Sequence, residues 1–125
     1  DLSASSMAVS VSVGAVSIDM AQNAQKADRN DDNSSATGYE DVKSTNMGVT
    51  YAITDSLTLE AASVAAEGTS ASNTDFKYDE SAYGIAYTVA SGVTLTASYS
   101  DFTQSGGGGT DVSGSGTTVK LAISF

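Results

Sequence analysis

One acidic loop holds the first candidates for chemistry. Asp28, Asn30 and Asp32 stand at alternate positions, as the first ligands of an EF-hand calcium loop do. The sixth position of that motif requires Gly and the twelfth Glu, whereas this chain has Asn33 and Tyr39 there. These side chains are a calcium candidate that lacks the Gly and Glu of the motif. A solvated acidic loop, which binds divalent cations only opportunistically, is the better interpretation, and we predict no metal site.

The other reactive groups are isolated from one another. The run Gly106–Asp111 resembles one copy of a calcium-binding repeat, but such repeats work by stacking and a single copy cannot stack. Asp19 and Glu60 are carboxylates among small polar residues, and Lys120 is a cation in similar surroundings. The chain contains no His and no Cys, which excludes Ser-His triads, thiolate nucleophiles and His-based zinc sites. We expect no catalytic residue, no cofactor and no enzymatic activity.

The composition of the 125 residues is that of a folded acidic chain. Lys and Arg number 5 against 15 Asp and Glu, so we expect no nucleic-acid partner. A hydrophobic content of 40% is too high for a disordered acidic tail. No run of about 18 apolar residues predicts a transmembrane helix. The first residues lack the features of a signal peptide, so we expect a trimmed chain or a piece of a longer one.

Strict alternation of apolar and small polar residues predicts seven β-strands, each with two unlike faces. The apolar positions are Met7, Val9, Val11, Val13, Val16, Ile18, Met20, Met47, Val49, Tyr51, Ile53, Leu57, Leu59, Ala61, Tyr83, Ile85, Tyr87, Val89, Val93, Leu95, Ala97, Tyr99, Val119, Leu121, Ile123 and Phe125. Residues 1–125 then form a single all-β domain. Its tight turns lie near 14–15, 54–56 and 90–92, and its long polar loops near 21–41, 67–80 and 103–115.

Two architectures could cover the apolar face, since a soluble sandwich buries it against a second sheet and an outer-membrane barrel turns it to lipid. Tight turns at one end and long loops at the other are typical of the barrel. Phe125 ends the chain in the apolar phase, where an aromatic ring suits a membrane interface better than a soluble core. Tyr99 with Phe102, and Tyr39 and Tyr78 near the loop borders, are candidates for an aromatic girdle. We therefore predict a transmembrane antiparallel up-and-down β-barrel.

Three segments resemble Gram-negative general porins, particularly those of the alphaproteobacterial type. The stretches Asn46–Leu59 and Tyr83–Tyr99 look like successive strand–turn–strand units of these porins. Thr118–Phe125 is similar to the C-terminal signal read by the outer-membrane insertion machinery, with Ile123 where Tyr is common. The resemblance implies a barrel of about 16 strands, a homotrimer in the bacterial outer membrane, and contact with the lipid bilayer and lipopolysaccharide. This chain would supply the last seven strands, and the constriction residues would lie outside it.

The resemblance also implies a water-filled channel for passive diffusion of small hydrophilic solutes and ions. The phase of the strands assigns the lumen to Ser10, Ser12, Ser17, Asp19, Thr50, Thr58, Glu60, Thr88, Thr94, Thr96, Ser98 and Lys120. It assigns lipid contact to Val9, Val11, Val13, Ile18, Val49, Tyr51, Leu57, Leu59, Ile85, Tyr87, Leu95, Tyr99, Leu121 and Ile123, with Phe125 as the insertion signal. The acidic loops predict a mild preference for cations. The alternatives are a soluble or surface β-sandwich that acts as an adhesin or coat subunit without pore activity, and a small barrel with a structural or phage-receptor role.

Overall fold

The computed structural model describes residues 2–27, 39–70 and 74–125. Its strands are β1 Leu2–Val13, β2 Val16–Ala27, β3 Tyr39–Thr54, β4 Leu57–Ser70, β5 Asp75–Ala90, β6 Val93–Gly106 and β7 Val112–Ile123. They form one antiparallel sheet in the order β1-β2-β3-β4-β5-β6-β7, which confirms the predicted seven strands in up-and-down order. Among the described residues, β1 pairs only with β2 and β7 only with β6. The described part of the chain contains no helix that is long and apolar enough to cross a membrane.

Three two-residue turns join β1 to β2, β3 to β4, and β5 to β6 at the same end of the sheet. These turns are Gly14-Ala15, Asp55-Ser56 and Ser91-Gly92. A carbonyl of each turn accepts a hydrogen bond from the chain segment that lies beside it, and the three bonds are Ala52 N to Ala15 O at 2.9 Å, Thr88 N to Ser56 O at 2.8 Å and Ser124 N to Gly92 O at 2.8 Å. Each turn is therefore held by the chain segment beside it, which is β3 for the first turn, β5 for the second and the residues after β7 for the third.

The turns descend stepwise across the sheet. Val16, the first residue after the first turn, lies opposite Tyr51, and β3 then continues three residues to Thr54. Leu57, the first residue after the second turn, lies opposite Tyr87, and β5 likewise continues three residues to Ala90. A register irregularity next to each of the last two turns, between Ala52 and Thr54 and between Thr88 and Ala90, absorbs one of those residues. Each turn is therefore displaced along the strands by two to three residues relative to the previous turn, which lies two strands away.

Gly92 is required by the third turn. Its φ is +76°, in the left-handed region, which residues with a Cβ adopt only at a cost in free energy. A Cβ built at Gly92 would also lie 2.5 Å from the carbonyl oxygen of Ser124. The last residues of the chain pack against this turn as closely as they do because the turn has no side chain there.

The strands are longer than the alternating apolar runs predict. The loops expected near 21–41, 67–80 and 103–115 give much of their length to strand, since β2 extends to Ala27, β4 to Ser70 and β6 to Gly106. What remains between β6 and β7 is 107–111, and between β4 and β5 it is 71–74. Backbone pairing continues where both faces carry polar residues, because the ladder of hydrogen bonds does not depend on an apolar face. Hydrophobic alternation marks only the part of a strand whose two faces meet different surroundings.

The sheet has no hydrophobic core. No apolar side chain among the described residues is buried. A single sheet cannot cover either of its own faces, so the fold depends on something outside these strands to cover the apolar one.

Candidate functional site

The register places every residue predicted to contact lipid on one face of the sheet, which we call the apolar face. Residues directly opposite each other in a ladder point to the same side. One such row runs Val13, Val16, Tyr51, Leu59, Ile85, Ala97 and Val119, and the row beside it runs Val11, Ile18, Val49, Ala61, Tyr83 and Tyr99. A third row brings together Leu57, Tyr87, Leu95 and Leu121, while Val9 lies opposite Met20 and Val93 opposite Ile123. The seven alternating runs thus combine into one continuous apolar surface.

This surface is exposed in the sheet. The exposed fraction of its large apolar side chains reaches 74% at Val13 and is 39% at Leu59 near the centre, while Val49 and Leu57 are half-buried. Burying such side chains stabilises a protein by about 1.5–3 kcal/mol each, and soluble monomers rarely expose contiguous apolar patches of more than a few hundred Å². An exposed apolar face of this extent is typical of a contact surface.

The apolar face is free of charge over the same length in four neighbouring strands. Counting from the tight turns, its side chains are uncharged through residues 16–24 of β2, 45–53 of β3, 57–65 of β4 and 81–89 of β5. We call these four nine-residue segments the apolar belt. The next side chains on the same face are Lys26, Lys43, Glu67 and Asp79. Nine residues is the length that a tilted transmembrane β-strand needs, about 9–11.

The charged border of the belt descends in step with the turns. Lys43 and Glu67 lie opposite each other, but Asp79 lies opposite Ala65, two residues nearer the tight turns than Glu67. Asp101 of β6 is two residues nearer again, since it lies opposite Ser81. The belt consequently keeps a nearly constant height above the turns. Above it, Lys77 and Asp79 form a salt bridge of 3.8 Å between half-exposed side chains.

The opposite side of the sheet, which we call the small polar face, carries all the residues predicted to line a lumen. In register order the rows are Ser10 and Asp19; Ser12, Ser17, Thr50, Glu60 and Ser98; Thr58, Thr96 and Lys120; and Thr88 with Thr94. The hydroxyls of Ser12 and Ser17 are 2.9 Å apart, and the Thr96 hydroxyl donates to the Lys120 carbonyl at 3.4 Å. In these two contacts, short hydroxyl side chains bond to each other or to the backbone.

Two of the carboxylates border one depression on the small polar face. Asp19 and Glu60 both line a hollow of about 320 Å³ whose floor includes Gly48 and Gly84. A Cβ added to Gly84 would lie 3.8 Å from Oε2 of Glu60, so the Glu60 side chain extends across that glycine. Asp19 and Glu60 are on β2 and β4, with β3 between them. They combine two negative charges on a wall of small residues, and no group of three or more possible metal ligands occurs among the described residues.

Tyr78 and Phe102 lie on the small polar face, so the expectation that they belong to a girdle with Tyr99 is wrong. Phe102 lies opposite Glu80, and it is three residues from Tyr99, an odd separation that reverses the direction of a side chain. The ring centroids of Tyr78 and Phe102 are 6.1 Å apart and the rings are inclined by 23°. The side chain of Tyr39 lies outside the described residues.

The carboxylate of Glu80 lies beside this aromatic pair. The Tyr78 hydroxyl donates a hydrogen bond of 2.6 Å to Oε2 of Glu80. Tyr78 is above the apolar belt, and the pKa of its hydroxyl is raised, first because the hydroxyl donates to Glu80 and then through desolvation and the carboxylate charge. Sequence reasoning missed this cluster, although the even spacing of residues 78 and 80 and the odd step from 99 to 102 contain the signal.

Two predicted features stay as predictions. Asp28, Asn30 and Asp32 lie outside the described residues. Phe125 follows β7 as a fully exposed residue, and its role as an insertion signal depends on a partner machinery.

Comparison with known proteins adds no relative, since no protein-family model, no curated protein and no solved structure matches this chain.

Proposed function

We propose that these seven strands are part of an outer-membrane porin, a passive channel for small hydrophilic solutes and ions. The observation that carries the proposal is the apolar belt, which is exposed, charge-free over nine residues in four strands, and bordered by charge at a constant height above the tight turns. A hydrocarbon layer of constant thickness selects for such a band. The resemblance of the strand–turn–strand units to general porins supports the same conclusion.

The stagger of the turns supports closure into a barrel. A descent of two to three residues per two strands, at about 3.3 Å per residue and 4.8 Å between strands, corresponds to a tilt of about 35–46° if the turns lie in one plane. Barrel closure requires tilts of about 35–45°. An open sheet edge in lipid would leave backbone groups without partners, so the free edges of β1 and β7 need further strands.

Parity limits how many strands can complete the barrel. β1 and β7 run in the same direction because five strands alternate between them. Antiparallel pairing at both free edges therefore needs an odd number of additional strands, from a longer chain or another segment. The resemblance to trimeric porins of about 16 strands fits this condition.

The small polar face would then line the water-filled lumen. Its Ser, Thr, Ala and Gly side chains leave room for solutes, and within the height of the belt its charged residues are Asp19, Glu60 and Lys120 among the described residues. Two carboxylates against one ammonium group favour cations in the channel.

A pair of cysteine variants tests the proposal, because the chain contains no Cys of its own. Ser98 and Ala97 are adjacent small residues on opposite faces of β6. In the protein purified from its native membrane and reconstituted in planar bilayers, a charged thiol reagent should lower the conductance of Ser98→Cys and leave Ala97→Cys unmodified. The absence of any conductance would refute the pore. A folded, monodisperse monomer in plain buffer would favour the β-sandwich instead.

A further inference from the structure

The cluster of Tyr78, Glu80 and Phe102 lies above the apolar belt on the small polar face. Phe102 is opposite Glu80 in the β5–β6 ladder, and the Tyr78 hydroxyl is bonded to Oε2 of the same carboxylate at 2.6 Å. The two rings are inclined by only 23° with centroids 6.1 Å apart. Both rings and Glu80 are partly exposed. Two nearly parallel rings and a carboxylate thus lie together on one partly exposed surface.

Its charge distinguishes this site from its surroundings. Above the belt, Glu80 is the one charged side chain on the small polar face among the side chains that the structure describes. The Tyr78 hydrogen bond holds one oxygen of the carboxylate and leaves its direction fixed. A negative group beside aromatic faces attracts a cation that can use both, through charge and through the quadrupole of the rings.

Packing against glycine explains only part of the arrangement. A Cβ at Gly114 would lie 2.7 Å from Cε1 of Phe102, so the Phe102 ring lies over that glycine and shields its backbone. This contact accounts for the position of Phe102. It does not require a second ring nearly parallel to the first, nor a carboxylate opposite it.

We propose that Tyr78, Glu80 and Phe102 form a binding site for an organic ammonium ion. The alkyl groups of such an ion would contact the two rings while its charge pairs with Glu80. A small metal cation would be a poorer ligand because it keeps its water and gains little from the rings. The proposed channel would also be lined by this face, but the test of the site is independent of the channel, since binding at this cluster requires the strands to be folded and requires no conduction.

The test uses tetramethylammonium as the probe and tert-butanol as a neutral probe of similar shape, with binding measured by saturation-transfer NMR on the purified protein in detergent. Tetramethylammonium should bind, and tert-butanol should bind more weakly. Exposed cation–π contacts are worth about 0.5–1 kcal/mol, so Phe102→Leu, which keeps an apolar side chain over Gly114, should weaken binding about two- to fivefold. Equal binding of the two probes would overturn the proposal.

Matched variants on the same two strands separate this site from general effects. Glu80→Gln should weaken binding, whereas Asp79→Asn, which makes the same charge change on the opposite face, should not. Tyr83 and Tyr99 are opposite each other on β5 and β6, a second aromatic pair on the apolar face. Tyr99→Leu should leave tetramethylammonium binding unchanged. Equal losses from Glu80→Gln and Asp79→Asn, or from Phe102→Leu and Tyr99→Leu, would refute the site, and circular dichroism of each variant confirms that it is folded.

Discussion

The sharpest prediction concerns an arginine placed on the apolar face at the centre of the belt. Ile85 lies between Leu59 and Ala97 in the middle of the sheet and is 41% exposed. If this face meets water, the substitution Ile85→Arg should change stability by at most about 0.5 kcal/mol, as surface changes do. If the face meets hydrocarbon, an arginine at mid-depth should cost about 2–4 kcal/mol.

The cost of an arginine on the apolar face should also depend on its depth in the membrane. Val89 is on the same strand, four residues nearer the tight turn, and is 55% exposed. Four residues of about 3.3 Å, tilted by about 40°, place it about 10 Å closer to the membrane surface. Arginine near the interface costs about 0–1 kcal/mol in a barrel, so Val89→Arg should be much milder than Ile85→Arg. A soluble β-sandwich has no membrane depth, so it does not predict that the cost of an arginine varies with depth in lipid vesicles.

The matched control is Ala86→Arg, which places the same side chain on the small polar face next to Ile85. Reversible unfolding in urea, in lipid vesicles, measures all three free energies. We expect a large loss for Ile85→Arg and small changes for Val89→Arg and Ala86→Arg. Equal effects of Ile85→Arg and Ala86→Arg would show that the two faces meet the same surroundings, and the membrane proposal would fail.

Three further predictions address the channel, a turn and a hydrogen bond. Glu60→Gln should move the reversal potential in a salt gradient toward lower cation preference and Lys120→Gln toward higher, and a shift in the opposite direction would contradict the lumenal assignment. Gly92→Ala should lower the free energy of unfolding by about 1–2 kcal/mol or more, since it combines a positive φ with a clash, whereas Gly116→Ala, where a Cβ meets nothing within 4 Å, should be nearly neutral in the same urea titration. Because the Tyr78 pKa is raised on folding, the stability contributed by its neutral hydroxyl should be present below about pH 10 and lost as the pH rises through the raised pKa. Wild type and Tyr78→Phe should then differ less at alkaline pH, and a difference that grows with pH would refute the assigned cause.

Periodicity alone was sufficient to predict the strands and their faces. The alternation from Met7 to Val13, and again from Tyr83 to Val89, places apolar side chains on one side of any extended chain, whatever its neighbours are. A tight turn such as Gly14-Ala15 makes the following strand pair antiparallel with the strand before it. For these reasons the seven-stranded antiparallel sheet, and the residues on each of its two faces, could be predicted from the sequence alone.

Beyond the ends of the apolar runs, the type of a residue did not predict which face of the sheet its side chain occupies, because its position in the alternation was not considered. Tyr78 and Phe102 looked like girdle residues because aromatic rings border lipid in barrels, but their phase places them with Glu80. The same limit affected the long loops, because polar segments such as the end of β4 pair as strand without any hydrophobic signal. In both cases, counting outward from the apolar run and extending the ladder would have corrected the prediction.

The amino-acid sequence by itself determined the alternation, the tight turns and the absence of His and Cys. It could not determine the register between strands that a long loop joins, since sliding one such strand by two residues preserves every face while changing every neighbour. Only the tertiary structure decided that a register irregularity beside the second turn brings Lys43 opposite Glu67, that Glu60 extends across Gly84, and that the charged border descends with the turns. These facts depend on cross-strand pairing between segments far apart in the chain, where hydrogen-bond ladders and side-chain contacts select one alignment among several that the local pattern allows.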